Sequence, residues 1–169
     1  MIIKQSISRH FIVSAFTWTV TILFGIGWWY FNFDEDYLLM VGLFHLLFTI
    51  PAVYLHIEYT IVNWGEEIEI NNNGIIIRKE GQEYKYGVGK ISEIVIYKSA
   101  NLDKWGIPFF AIEYYYYARI VIKNDEQIII SCLMVRDLEK VMSIMSEVAI
   151  EKKRRLIASP WMDRIFSKN

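Results

Sequence analysis

The chain has 169 residues, of which 54% are hydrophobic, with a formal net charge of -1 and a single cysteine, Cys132. That length accommodates one ordinary soluble domain plus an anchor and excludes two sizeable cores. The lone cysteine excludes an intrachain disulfide and a cysteine-based metal site.

The hydrophobic share exceeds the roughly 45–50% of soluble domains, and the surplus lies in the first third of the chain. Residues 1–9 form a short N-terminal segment carrying Lys4 and Arg9. Residues 10–33 carry no formal charge; at ~1.5 Å per residue such a helix exceeds a ~30 Å hydrocarbon core. Residues 34–36, Asp-Glu-Asp, form a tight external turn, and residues 37–60 a second span containing LLMVGLFHLLFTIPAVYL. Trp28, Trp29 and Tyr30 follow the first apolar run where a small-residue cleavage site would stand, so the segment is expected to be retained as an anchor. The same three aromatics suit an interfacial belt, with Tyr54 and Trp64 for the opposite one. Basic residues before the first span and acidic residues in the turn place both termini in the cytoplasm by the positive-inside rule.

His45 and Pro51 interrupt the second span. His45 and His56 are 11 positions apart, almost three helical turns, and so project from nearly one face. In an antiparallel hairpin His56 approaches His10, while His45 lies deeper, within reach of Ser14, Thr17, Thr19 or Thr21. A polar side chain in lipid is a functional candidate, and an interhelical hydrogen bond is the structural alternative.

From residue 64 the pattern changes to short alternating runs. Glu66 to Ile70 alternates at period two, Asn71-Asn72-Asn73-Gly74 turns, and Ile75 to Lys79 returns as a hairpin. Glu80-Gly81 turns again into Gln82 to Tyr86, and Ile91 to Lys98 follows. Tyr114 to Lys123 and Gln127 to Leu133 pair across Asn124-Asp125-Glu126. Then Leu138, Val141, Met142, Met145, Val148 and Ala149 take up the spacing of an amphipathic helix. These elements define a β domain over residues 64–150. A basic, amphipathic tail, residues 151–169, holds Lys152, Lys153, Arg154 and Arg155 followed by Leu156, Ile157, Trp161, Met162, Ile165 and Phe166.

The segments NNNGIIIRKEGQEYKYGVGKISEIVIYKS and ARIVIKNDEQIIISCLMVRDLEKVMSIM, preceded by a two-helix anchor, resemble those of bacterial membrane-anchored PH-like domain proteins. The resemblance implies a membrane α-helical hairpin plus a mainly-β PH-like domain. Its strands would form two nearly orthogonal antiparallel sheets, or a partly open barrel, with one C-terminal helix capping an open end. Eukaryotic PH domains that grip phosphoinositides carry bases on the first hairpin; here that loop is Asn71 to Gly74, which does not suit such recognition.

No phosphate loop, metalloprotease or nucleophile-elbow motif is present, and all three histidines belong to the anchor. An enzyme is not expected, and neither a cofactor nor a metal is implied. Residues 64–150 carry 13 acids against 10 bases, which argues against nucleic acid. Cys132 sits in an apolar strand and suits a core role. The long segment from Ser99 to Tyr117 carries Trp105, Phe109 and Phe110, candidates for contact with a partner or with lipid. Its four successive tyrosines, Tyr114 to Tyr117, put two on each face of a strand, so one pair is expected to face away from the core. The bases Lys152 to Arg155 are candidates for an anionic leaflet.

The leading expectation is a non-enzymatic, multi-pass inner-membrane protein whose β domain recognises a protein or peptide, or a second copy, at the inner face. The alternatives are an anionic-lipid sensor and a membrane immunity protein against a toxin.

Overall fold

The structure, a computed structural model, describes residues 1–32, 34–124 and 126–166, with side chains to residue 163. Phe33 at the end of the first expected span, Asp125 of the turn before Gln127, residues 167–169 of the tail and the side chains of Ile165 and Phe166 lie outside that description.

Two long helices dominate the first third: α1, Ile7–Tyr30, and α2, Glu35–Val62. Both are long and apolar enough to cross a bilayer. The Asp34 carboxylate caps α2 by accepting from the Tyr37 amide at 2.8 Å, and Glu35 and Asp36 in the first turn suit the helix dipole. Each helix runs beyond its expected limit at the domain end, where Arg9 and the cap residue Asn63 hydrogen-bond to the β domain.

The remainder is two four-stranded sheets. The first contains β1 (Ile2–Lys4), β2 (Glu67–Asn71), β3 (Gly74–Lys79) and β4 (Gln82–Gly87), in that spatial order and antiparallel throughout. Gly74 adopts φ 142°, and a Cβ there would run into the Tyr86 carbonyl oxygen. Only glycine closes this hairpin. At the next turn Glu80 and Gly81 both take positive φ, 51° and 78°, the twist a two-residue hairpin requires.

The second sheet has the order β7-β6-β5-β8, formed by β5 (Ile91–Lys98), β6 (Tyr117–Ile122), β7 (Gln127–Ser131) and β8 (Ile150–Arg154). β8 alone runs parallel to its neighbour, β5. Between β5 and β6 lie α3 (Ala100–Trp105) and a 3-10 turn, Ala111–Tyr114; α4 (Leu138–Met142) and α5 (Pro160–Phe166) complete the chain. Ile68, Ile70, Ile94, Ile96, Ile120, Ile130, Leu133 and Leu138 fill the core between the sheets.

Three expectations are corrected. Residues 1–9 do not stand apart from the β domain, because β1 extends the first sheet before the chain enters α1. The C-terminal helix stops at Met142 rather than continuing to Ala149, since the chain must turn back to bring Ile150 opposite Ile94. Residues 151–154 are not a tail but most of β8, an edge strand whose lysines and arginines suit an exposed position that discourages further pairing.

Candidate functional surface

The hairpin and the β domain share one buried joint. Leu55 and Tyr59 of α2 are fully buried, and the Tyr59 hydroxyl donates to the Ala158 carbonyl at 2.6 Å. Asn63, the C-cap of α2, is buried against the free edge of β7: its Nδ2 donates to the Ile129 carbonyl at 2.7 Å, and its Oδ1 accepts from the Ser131 amide at 3.2 Å. One side-chain amide thereby takes the part of a neighbouring strand. The buried Glu58 carboxylate accepts from Ser159 Oγ at 2.8 Å and from the Trp161 amide, tying the start of α5 to α2. Arg9 of α1 donates to the Cys132 carbonyl through Nε at 3.0 Å and Nη2 at 2.9 Å. Gln5, in the link from β1 to α1, donates to the Tyr59 and Thr60 carbonyls at the end of α2.

The histidines join this framework. His10 Nδ1 lies 3.1 Å from His56 Nε2, and His56 Nδ1 lies 3.0 Å from the Tyr115 hydroxyl. His45 sits further along the hairpin, stacked on Phe24 and within 3.4 Å of Thr21 Oγ1 and 3.3 Å of Thr49 Oγ1. Its ring lies between the two helices.

The segment before β6 is more ordered than a long loop. Ser99 caps α3 by accepting from the Leu102 amide at 3.1 Å, and Gly106 ends it with φ 68°. Buried Glu113 then fixes the aromatic residues: Oε2 accepts from the Phe109 amide at 2.6 Å and the Phe110 amide at 3.2 Å, and Oε1 accepts from Asn101 Nδ2 at 2.7 Å. Phe110 is thereby laid against α2, its ring stacked on Phe48 with centroids 5.4 Å apart. Trp105, Ile107, Phe109 and Phe110 remain 70%, 63%, 59% and 44% exposed, an apolar patch continuous with the flank of the hairpin. A cavity of about 430 Å³ lies between Phe109, Phe110 and the two helices, lined among others by Phe16, Val41 and Phe48.

The tyrosine run does not present an exposed pair. Tyr115, Tyr116 and Tyr117 are all buried, and Tyr114 packs on Phe16 of α1. The run is not one strand, since Tyr114 ends a 3-10 turn and β6 begins at Tyr117, and the hairpin meets Tyr114, Tyr115 and Tyr117 through Phe16, His56 and Tyr59. Burial pushes the Tyr116 hydroxyl up to about 12, and it donates to the Arg136 carbonyl. Burial likewise pushes the Cys132 thiol up to about 12, far from the thiolate a reactive cysteine needs.

The four bases stand beside carboxylates. Lys152 pairs with Glu139, Lys153 with Glu151 at 3.2 Å, Arg154 with Asp103 at 2.8 Å and Arg155 with Asp163 at 3.7 Å. Lys152 and Lys98 together hold the Glu139 carboxyl below its usual range. The Arg154–Asp103 pair joins β8 to α3, so the basic strand and the aromatic segment form one surface. Asn63, Glu58 and Glu113 escaped sequence reasoning. Glu113 alone carried a signal, as a solitary carboxylate inside an aromatic run.

A family model described as PH domain matches residues 2–140. No curated protein and no solved structure matches the chain.

Proposed function

The chain belongs to the PH domain family, and from that premise we propose that it is a non-enzymatic, membrane-anchored binding module whose β domain recognises a protein or peptide at the inner face of the cell membrane. The observation that carries this reading is the pairing of β1 with β2 across the hairpin. It makes the two helices an insertion within the first sheet, so the domain is held at a fixed height and attitude rather than on a tether. Lys4 and Arg9 lie at the domain end of the hairpin and Asp34, Glu35 and Asp36 at the other, the charge distribution of a cytoplasmic domain.

Recognition of anionic headgroups by Lys152 to Arg155 is the weaker reading, since each base already has an acidic neighbour. A polypeptide partner has a better platform in β4, which among the described residues borders a strand on one side only. Its unpaired main-chain groups suit strand addition, and Tyr84 beside them is 46% exposed. The test is to place a photo-crosslinking amino acid at Tyr84 of the full-length chain in native membranes. A discrete adduct with one further polypeptide, or with a second copy, is expected. Recovery of the chain alone, repeatedly and under gentle extraction, contradicts the proposal.

A further inference from the structure

The hairpin is too short on one flank for the domain to stand clear of a bilayer. Phe110 stacks on Phe48 of α2, and Tyr114 lies against Phe16 of α1 with ring centroids 5.9 Å apart. From Phe48 back to Glu35 is thirteen positions, about 20 Å at ~1.5 Å per residue. From Phe16 to Tyr30 is fourteen positions, about 21 Å. Against a hydrocarbon core of ~30 Å the reach falls short by about 10 Å, and tilt only shortens it. The opposite flank differs. There Trp161 meets Tyr54, centroids 6.2 Å apart, and Tyr54 is nineteen positions from Glu35, about 28 Å and close to a full crossing.

We infer that the β domain sits obliquely in the membrane surface, with Trp161 and Tyr54 at the interface and residues 105–110 immersed about 9 Å deeper among the acyl chains. The difference is the six positions of α2 between Phe48 and Tyr54, at ~1.5 Å each. This inference rests on the reading that the hairpin spans a bilayer.

The chemistry of the segment fits that depth. Its exposed side chains are apolar and aromatic, and in water they would form a contiguous patch of the kind that marks an interaction surface. A backbone in lipid must have its polar groups satisfied internally. Here the Phe109 and Phe110 amides are taken by Glu113, and the Asp103 and Gly106 amides by the Ser99 and Leu102 carbonyls. The Asp103 charge is offset by Arg154, and exposed Lys104 has a stem long enough to carry its ammonium to the headgroups. A depth of this size matches the ~5–10 Å to which interfacial elements bury their apolar faces.

The test uses the full-length chain in phosphatidylcholine–phosphatidylglycerol vesicles, spin-labelled in turn at Phe109→Cys, Trp105→Cys, Met162→Cys and Phe44→Cys. Accessibility to oxygen and to an aqueous nickel chelate reports depth, and buried Cys132 stays unlabelled. Labels at 105 and 109 are expected to be oxygen-accessible, shielded from nickel and several ångströms deeper than the label at 162. Nickel accessibility at both, with the label at 44 in hydrocarbon, overturns the inference and leaves the anchor standing. Nickel accessibility at 44 as well overturns the anchor reading itself. Using two positions in the segment guards against one variant that fails to fold.

Discussion

Ile3 stands directly opposite Ile68 in an antiparallel pair, although the whole helical hairpin separates them along the chain. Ile3 is 4% exposed and Ile68 fully buried, so this contact closes the core as well as the sheet. It also forces both ends of the hairpin to the same side, because a strand before the hairpin and one after it cannot otherwise be neighbours.

Ile3→Ala is therefore expected to destabilise the whole β domain, by about 2–5 kcal/mol for a buried isoleucine, although it lies outside the segment that sequence patterning assigns to the domain. Chemical denaturation of the full chain in detergent, followed by tryptophan fluorescence, measures this. An unchanged midpoint would mean that β1 is dispensable.

Asn63→Ala removes both hydrogen bonds that terminate the β7 edge and leaves the buried Ile129 carbonyl and Ser131 amide without them. The expected cost is about 1–3 kcal/mol. Amide hydrogen exchange at Ser131, faster in the variant than in the parent, distinguishes a local release of the edge from a general loss of stability.

Glu113→Ala is expected to loosen the aromatic segment while leaving the sheets intact, since the carboxylate holds two amides and Asn101 but stands outside both ladders. Amide hydrogen exchange at Phe109 and Phe110, which lose their acceptor, should accelerate in the detergent-solubilised chain. Glu113→Gln retains an acceptor oxygen and should behave between the two.

Glu139 supplies a pH dependence of definite sign. Lys152 and Lys98 hold its carboxyl below the usual value in the folded state, so its contribution is present above the unfolded value of ~4.3 and is lost as pH falls through the lower folded one. The carboxylate is partly exposed, which keeps the effect small. Thermal melts from pH 6 to 3 should show a shallower acid loss for Glu139→Gln than for the parent. Identical slopes would remove the ion pairs from the account.

How much of this was legible in the sequence depended on the range of the interactions. Uncharged runs long enough to cross a bilayer marked the hairpin, Asn71 to Gly74 and Glu80-Gly81 marked turns, and the structure holds positive φ at Gly74, Glu80 and Gly81. The approach of His56 to His10 followed from folding the two spans into an antiparallel hairpin. β1 was invisible because Ile2-Ile3-Lys4 is too short to alternate, and its partner lies beyond the hairpin. β8 was hidden because Glu151 to Arg154 carries no apolar alternation; a ladder to β5 and ion pairs to distant acids hold it. The helix after Leu138 was drawn too long because Met145 and Val148 keep a helical spacing while packing through turns. The aromatic residues were visible as a cluster, but their seat against Phe48 depends on Glu113, whose role appears only when the chain is folded.

Whether β1 and the β domain lie together on one side of a membrane spanned by the hairpin is decided by impermeant thiol labelling of the full chain in intact cells and in inverted vesicles. Single cysteines replace Ile2, Asp36 and Gln82, all exposed. Positions 2 and 82 are expected to label only in inverted vesicles and position 36 only from outside. Labelling of 2 and 82 from opposite sides, or of all three from one side, would contradict that arrangement.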